Sequence, residues 1–246
     1  MKAMVLAAGL GTRLRPLTDT RPKALVEING RTLLEITLTR LREFGVTDVI
    51  VNVHHFAGMV VYYLAANNNF GMRIAISRED ELLLDTGGGL KKAAWFFLED
   101  ESDEPFLLHN VDVISDINLA QMVRFHREHG ALSTLAVQQR PSSRQLLFDD
   151  DGLLCGRRFE NEQRTELARP ANPLHPLAFC GIHVVSPRML NMMTEDGVFS
   201  IIETYLRLAA EKEGIVAFRS NDAEWMDVGS IAKLDNARRS AVDPCF

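Results

Sequence analysis

Two apolar patterns alternate along the first half of the chain. Short runs of strand length, Ala3 to Ala8, Asp48 to Val53, Met72 to Ser77 and Pro105 to Asp112, are separated by stretches whose apolar positions recur at helical spacing. The clearest stripe is Leu33, Leu34, Ile36, Leu38, Leu41 and Phe44, with Thr32 placed to cap it and Gly45 to end it. A helix near Ala57 to Ala66 and another through Leu90, Ala93, Ala94, Phe97 and Leu98 fill the next gaps. This β-α-β-α-β order with short connections predicts parallel strands and right-handed crossovers, hence ligands at the strands' carboxyl ends.

After a helix over Leu119 to His129 the texture changes. Ala131 to Gln138, Gln145 to Phe148 and Leu153 to Phe159 read as strands, the last two joined by a solvated Asp149-Asp150-Asp151-Gly152 hairpin turn. Glu160 to Pro176 is polar, carries Pro170, Pro173 and Pro176, and reads as a loop. Leu177 to Val185 is a strand with Gly181 in its middle, a mark of a bulge or of a close ligand approach. Pro187 to Met193, Phe199 to Lys212 and Ile231 to Arg239 read as helical. The fold class expected is α/β: a Rossmann-like mixed, mainly parallel central sheet flanked by helices, with a smaller antiparallel part.

The 246 residues are 46% hydrophobic, enough for a sizeable core in one large α/β domain or two small ones. A net charge of −6 denies the chain the basic footprint of a nucleic-acid binder. Cys155, Cys180 and Cys245 are odd in number and lack CxxC spacing, which argues against a disulfide framework or a zinc site and fits a reducing cytoplasm. The N-terminal apolar run is too short for a signal-peptide core, and no stretch approaches the roughly 18 apolar residues of a membrane span. A cytoplasmic enzyme is the expectation, with a homo-oligomer left open.

Positive charge is concentrated in one place. Leu6 to Leu25 reads LAAGLGTRLRPLTDTRPKAL: two glycines free the backbone to approach a ligand, and Arg13, Arg15, Arg21 and Lys23 face the single acid Asp19. Pro16 and Pro22 keep the segment from closing into an ordinary helix. Such a loop suits polyphosphate. A Walker A loop would need Gly-Lys-Ser/Thr, which is missing, and a dinucleotide fingerprint would need a third glycine where Leu14 stands. It would also need an acid after the second strand, which ends in Asn52-Val53-His54.

The motif that remains, Gly-x-Gly-Thr-Arg-Leu-x-Pro-Leu-Thr followed by Pro-Lys, resembles the signature of sugar-1-phosphate nucleotidylyltransferases. Three later segments resemble that family in the expected order: Thr86-Gly87-Gly88-Gly89, Asn110-Val111-Asp112, and Trp225-Met226-Asp227-Val228-Gly229-Ser230. The resemblance implies a chain organised as one domain over 1–246, with a nucleotide-binding part over 1–130 and a sugar-binding part over 131–246. It implies nucleotide contacts at Ala7, Ala8, Gly9, Gly11 and Thr12, with Gly87 and Gly88 against the base. Arg13 would serve the β- and γ-phosphates, Lys23 the α-phosphate, and Asp112 and Asp227 a magnesium ion. Asn110, Gly181 and Arg169 would face the sugar, Arg169 standing for a family lysine in an Ala-Arg-Pro that replaces Glu-Lys-Pro. Val111 stands where the family has glycine, which would hold the backbone farther from the ligand.

The reaction implied is NTP plus sugar 1-phosphate giving NDP-sugar and pyrophosphate. The attacking phosphate monoester has a second pKa of about 6, so it is largely dianionic at pH 7 and needs no general base. The chain's compactness and its Thr-Gly-Gly-Gly turn look most like the small uridylyltransferases acting on N-acetylmuramate 1-phosphate. Mannose-1-phosphate guanylyltransferases and glucose-1-phosphate thymidylyltransferases share the same motifs. A metal-dependent glycosyltransferase and an inactive nucleotide-sugar sensor are the competing readings.

Overall fold

The computed structural model describes residues 1–239; Cys245 lies outside them. In chain order the elements are β1 (Lys2–Leu6), β2 (Glu27–Ile28), β3 (Arg31–Thr32), α1 (Leu33–Glu43), β4 (Asp48–Val53), α2 (Ala57–Ala66), β5 (Arg73–Arg78), α3 (Asp85–Lys92), α4 (Ala94–Leu98), β6 (Phe106–Asn110) and β7 (Val113–Ser115). There follow α5 (Leu119–Glu128), β8 (Ser133–Gln138), β9 (Arg144–Phe148), β10 (Leu154–Phe159), β11 (Arg164–Leu167), β12 (His175–Val185), α6 (Ile201–Ala210), β13 (Ile215–Arg219), β14 (Trp225–Asp227) and α7 (Ile231–Arg239).

One 10-stranded sheet carries both textures, in the order β11-β10-β9-β12-β6-β1-β4-β5, with β8 beside β12 and β13 beside β8. The expected α/β class, with mainly parallel central strands, is what forms. Strands β5, β4, β1 and β6 run parallel. The switch to antiparallel pairing falls between β6 and β12, so the smaller part is an extension of the same sheet. Strand β1 shows why its sequence is apolar throughout. Ala3 and Val5 pack into the cluster formed with α1, α2 and α5, while Met4 points through the sheet to the cluster formed with α3, α4 and α6.

Local signals worked where the chemistry was local. Thr32 caps α1 as expected, its hydroxyl accepting from Glu35 N at 3.0 Å, and Gly45 ends that helix with φ +96°. The Asp149 carboxylate closes the predicted hairpin turn by accepting from Leu153 N at 2.8 Å.

Three expectations change. The stretch expected to be loop over Glu160 to Pro176 contains β11 and the start of β12. Strand β11 is an edge strand held by ion pairs, Arg157 to Glu166 at 2.6 Å and Arg164 to Glu166 at 2.6 Å, so its residues are polar and carry no apolar alternation. Strand β1 stops at Leu6, leaving Ala7 and Ala8 in the phosphate loop. The glycines at 87–89 lie inside α3, since that helix begins at Asp85.

Candidate active site

The loop after β1 folds as three short turns of 3-10 helix, Thr12–Leu14, Leu17–Asp19 and Lys23–Leu25, spaced by the two prolines. Gly11 adopts φ +65° there, and a Cβ on it would stand 2.9 Å from Thr18 Cγ2 and 3.0 Å from Lys23 Cβ. Glycine at this position is what lets the stem of Lys23 cross the loop. Gly9 meets nothing within 4 Å of its Cβ position, which leaves its backbone bare at the wall of a cavity of about 530 Å³.

The loop is braced from below by a polar pair that the sequence did not announce. Asn52 at the end of β4 accepts from Ala7 N at 2.7 Å and donates to Glu79 Oε1 at 2.7 Å. Glu79 is 1% exposed, and its other oxygen accepts from Leu84 N at 2.8 Å. Ala7 thus gives its N–H to the scaffold, and Ala8 and Gly9 supply the cavity wall. The position where a dinucleotide fold keeps its acid is used here to pin the phosphate loop to the helix-entry loop.

Asp112 follows β6, and Asp227 ends β14. The antiparallel pairing of β14 with β7 sets Asp227 opposite Val113, and Val228 N donates to Asp112 O at 3.0 Å. Two carboxylates distant in sequence are thereby placed side by side. Gly229 marks the point where they converge: its Cβ position lies 2.7 Å from Asp227 Oδ1, 2.9 Å from Arg13 Nη2 and 3.2 Å from Asp112 Oδ2. Each carboxylate carries an ammonium partner. Lys23 Nζ donates to Asp112 Oδ2, and Lys233 Nζ donates to Asp227 Oδ2 at 2.6 Å.

Burial works to raise the Asp227 carboxyl. The Lys233 ammonium, the Gly229 N–H and the charge of Lys23 outweigh it and hold the group below the ordinary carboxylate range. Asp227 is therefore ionised, and the two carboxylates offer hard oxygen donors at a point that already holds two ammonium groups. This donor set fits magnesium, which needs only one or two protein carboxylates. Among the described residues no cluster of three or more His, Cys, Asp or Glu forms a fuller metal cage.

Two cavities meet at this point. The 530 Å³ cavity runs over the phosphate loop, and a second of about 780 Å³ runs over the antiparallel strands. Arg13, Asn110 and Asp112 line both, as do Asp85 and Thr86. Gly181 has φ +73° at the register shift in β12, and its Cβ position is 2.8 Å from Asn110 Nδ2, so a side chain there would push Asn110 aside.

The other expected residues stand elsewhere. Gly87 and Gly88 both give their N–H groups to Phe199 O, at 2.9 and 3.3 Å, and line neither cavity. Cβ atoms on them would collide with the Phe199 ring at 2.4 Å and with Gly197 O at 2.3 Å. Their glycine requirement is met by packing, and Asp85 and Thr86 form the wall instead. Thr12 is exposed on the loop and lines neither cavity. Arg169 is held away from both by Asp149 and by Cys155 Sγ at 3.4 Å. The Val111 side chain is 3% exposed and belongs to the core, with its N–H donating to Leu6 O at 3.2 Å. It also borders the 530 Å³ cavity.

Gly229→Ala tests the convergence point. Its methyl group would displace Asp227 or Arg13 by a few tenths of an ångström or more. Turnover is expected to fall by roughly 10- to 100-fold, since small misplacements at a reacting centre cost that much. Wild-type turnover in a folded Gly229→Ala protein would show that these groups do not act together.

Fold and site together present an α/β scaffold in which two cavities meet at a paired carboxylate centre. The chain belongs to the nucleotidyl transferase family, whose model matches residues 2–243. It is 35% identical over 240 residues to the N-acetylmuramate alpha-1-phosphate uridylyltransferase of Caulobacter vibrioides, covering 92% of this chain and 91% of the relative. The enzyme of the same name from Neisseria meningitidis serogroup B is 31% identical over 244 residues, with 98% of each chain covered. A protein of Oryza sativa subsp. japonica named "Probable mannose-1-phosphate guanylyltransferase 1" is 31% identical over 232 residues, and this chain spans 61% of its length. Among solved structures, UDP-glucose pyrophosphorylase complexed with UDP-glucose superposes with a TM-score of 0.75 at 19% identity, covering 96% of each chain. The enzyme class expected from the phosphate-loop motif is borne out.

Proposed function

We propose that the chain transfers a nucleotidyl group from an NTP to a sugar 1-phosphate, releasing pyrophosphate. The observation that carries this is the meeting of Lys23, Arg13, Asp112 and Asp227 where the two cavities join. A triphosphate lying along the loop places its α-phosphorus at that junction. The acceptor phosphate, already dianionic, then attacks in line: an oxygen–phosphorus bond forms to the α-phosphorus, and the α–β bridging bond breaks toward the leaving pyrophosphate.

Lys23 supports charge at the α-phosphate, Arg13 supports the β- and γ-phosphates, and the N–H groups of the Ala8–Gly9 segment line the phosphate path. Asp112 and Asp227 would hold magnesium, which would supply charge to offset the repulsion between two phosphates. Asn110 and Gly181 border the acceptor. The finer reading is UTP with an amino-sugar 1-phosphate such as N-acetylmuramate 1-phosphate; the similarity to the Caulobacter and Neisseria enzymes supports it.

A panel of four NTPs against N-acetylmuramate, mannose and glucose 1-phosphates, read as magnesium-dependent pyrophosphate release, tests both levels. UTP with N-acetylmuramate 1-phosphate is expected to be turned over fastest. Preference for another pair would replace the finer reading, and no pyrophosphate from any pair would end the proposal.

A further inference from the structure

The larger cavity is bordered on its far side by arginines from the antiparallel strands: Arg140, Arg144, Arg157 and Arg158. Arg157 is neutralised by Glu166 at 2.6 Å, and Arg158 stands 3.8 Å from Glu160. Among the described residues neither Arg140 nor Arg144 has a carboxylate partner.

Arg140 is also held rigidly. Its guanidinium lies 3.7 Å from the centre of the Trp225 ring, and Nη2 donates to Phe179 O at 2.9 Å. The Trp225 indole is fixed in turn by donating to Cys180 O at 2.8 Å. Arg140 Nε is buried without an acceptor, and Gln145 Oε1 in the same cavity lining is buried without a donor. A guanidinium carries five N–H donors in a fixed fork, and here its neighbours on the protein are Phe179 O and the Cys180 thiol, neither of them a carboxylate. Two acids lining the same cavity, Asp85 and Glu203 on α6, form no ion pair among the described residues.

Position gives this charge a meaning. Trp225 and Asp227 are two residues apart on β14, so they share a face at a separation of roughly 7 Å. An acceptor whose 1-phosphate sits at the paired carboxylates would span that distance with its sugar ring. Arg140, stacked on Trp225, lines the same cavity as Asp112 and Asp227.

Resting on the nucleotidyl-transfer reading above, we infer that the acceptor carries a second oxyanion on its sugar ring, a carboxylate or a phosphate, bound by the Trp225-stacked Arg140 with Arg144 beside it. A planar fork without a protein carboxylate is suited to such a group. Arg140 is a specificity residue in this account, because it touches the acceptor away from the reacting atoms.

The experiment compares N-acetylmuramate 1-phosphate, N-acetylglucosamine 1-phosphate, which lacks only the acidic ether, and glucose 1,6-bisphosphate, with UTP as donor. The wild-type protein is expected to favour an acidic acceptor over N-acetylglucosamine 1-phosphate by roughly 10- to 100-fold in kcat/KM, mainly through KM. Which acidic acceptor wins tells carboxylate from phosphate. Arg140→Gln is expected to erase most of that ratio, with Arg140→Lys intermediate and Arg144→Gln weaker. Equal use of acidic and neutral acceptors by the wild-type protein overturns the inference. So does an Arg140→Gln variant that loses activity toward both in proportion, the outcome of a purely structural role. Absence of pyrophosphate from every acceptor and every NTP would instead overturn the parent reading.

Discussion

Lys23→Ala is expected to fold and to turn over substrate roughly 10²- to 10³-fold more slowly, the usual cost of removing one preorganised charge from a reacting centre. The Lys23 ammonium is 13% exposed and bound to Asp112, whose side chain is 16% exposed. It sits in surroundings poor in water, where a charge keeps most of its strength. Alanine would leave Asp112 beside Asp227 with one cation fewer, and a triphosphate entering would meet two carboxylates less screened. The loss should fall on kcat more than on KM for the NTP, because charge at the α-phosphate grows on the way to the transition state. Lys23→Arg is not a rescue. The stem passes beside Gly11 with no spare room, and a planar fork differs from a compact ammonium. Steady-state pyrophosphate release, with a melting curve to show folding, is the measurement. Near-normal turnover of the folded alanine variant would remove Lys23 from the mechanism.

The second large effect concerns stability in mild acid. His109, His126 and His183 are buried polar residues. Burial, with the nearby Arg40, pushes His109 down to about 3. Burial and His109 push His183 down to about 3, and burial and Arg127 push His126 down to about 4. Each ring has a use for its neutral form: His109 Nδ1 donates to Asn110 O at 2.8 Å, and Nε2 faces Arg40 at 3.3 Å.

Since these folded values lie below the unfolded value near 6.5, the unfolded chain takes up protons first as pH falls. Stability is complete above pH 6.5 and declines below it, by about 1.4 kcal/mol per pH unit for each histidine. Over three histidines a drop from pH 7.5 to 5 should remove about 6 kcal/mol, a large share of a typical domain's stability. Depressed carboxylates such as Asp227 lose their contribution only nearer pH 4, so the histidine window is separate. Urea midpoints at pH 7.5, 6.5, 5.5 and 5 are the test. A midpoint that stays level across that series would contradict neutral, buried histidines.

Features written over a few residues were legible in the sequence. The glycines and cations of the phosphate loop, the Thr32 cap and the gap at Gly181 each follow from chemistry within a short stretch. What the sequence concealed depends on partners brought from far along the chain. Nothing near Asn52 or Glu79 reveals that they meet under Ala7, and nothing near Arg140 foretells the indole of Trp225. Lys233 lies on a polar helix face, where an ion pair with Asp227 has no local signature.

Arg169 is read from flanking Ala and Pro that resemble a family motif, and β9 and β10 bring the Asp149 turn to it, a contact with no local signature. The glycines of α3 were assigned to the base for a related reason. A missing side chain records a close neighbour without saying whether that neighbour is ligand or protein, and here it is Phe199.

The ribbon that pairs β7 with β14 also fixes when the two-carboxylate centre is complete. As the chain leaves the ribosome, the glycine- and arginine-bearing loop after β1 emerges first and Asp227 among the last described residues. Until β14 pairs with β7, a nascent chain carries Asp112 without Asp227 beside it, so the paired carboxylate centre is among the last parts of the described fold to be assembled.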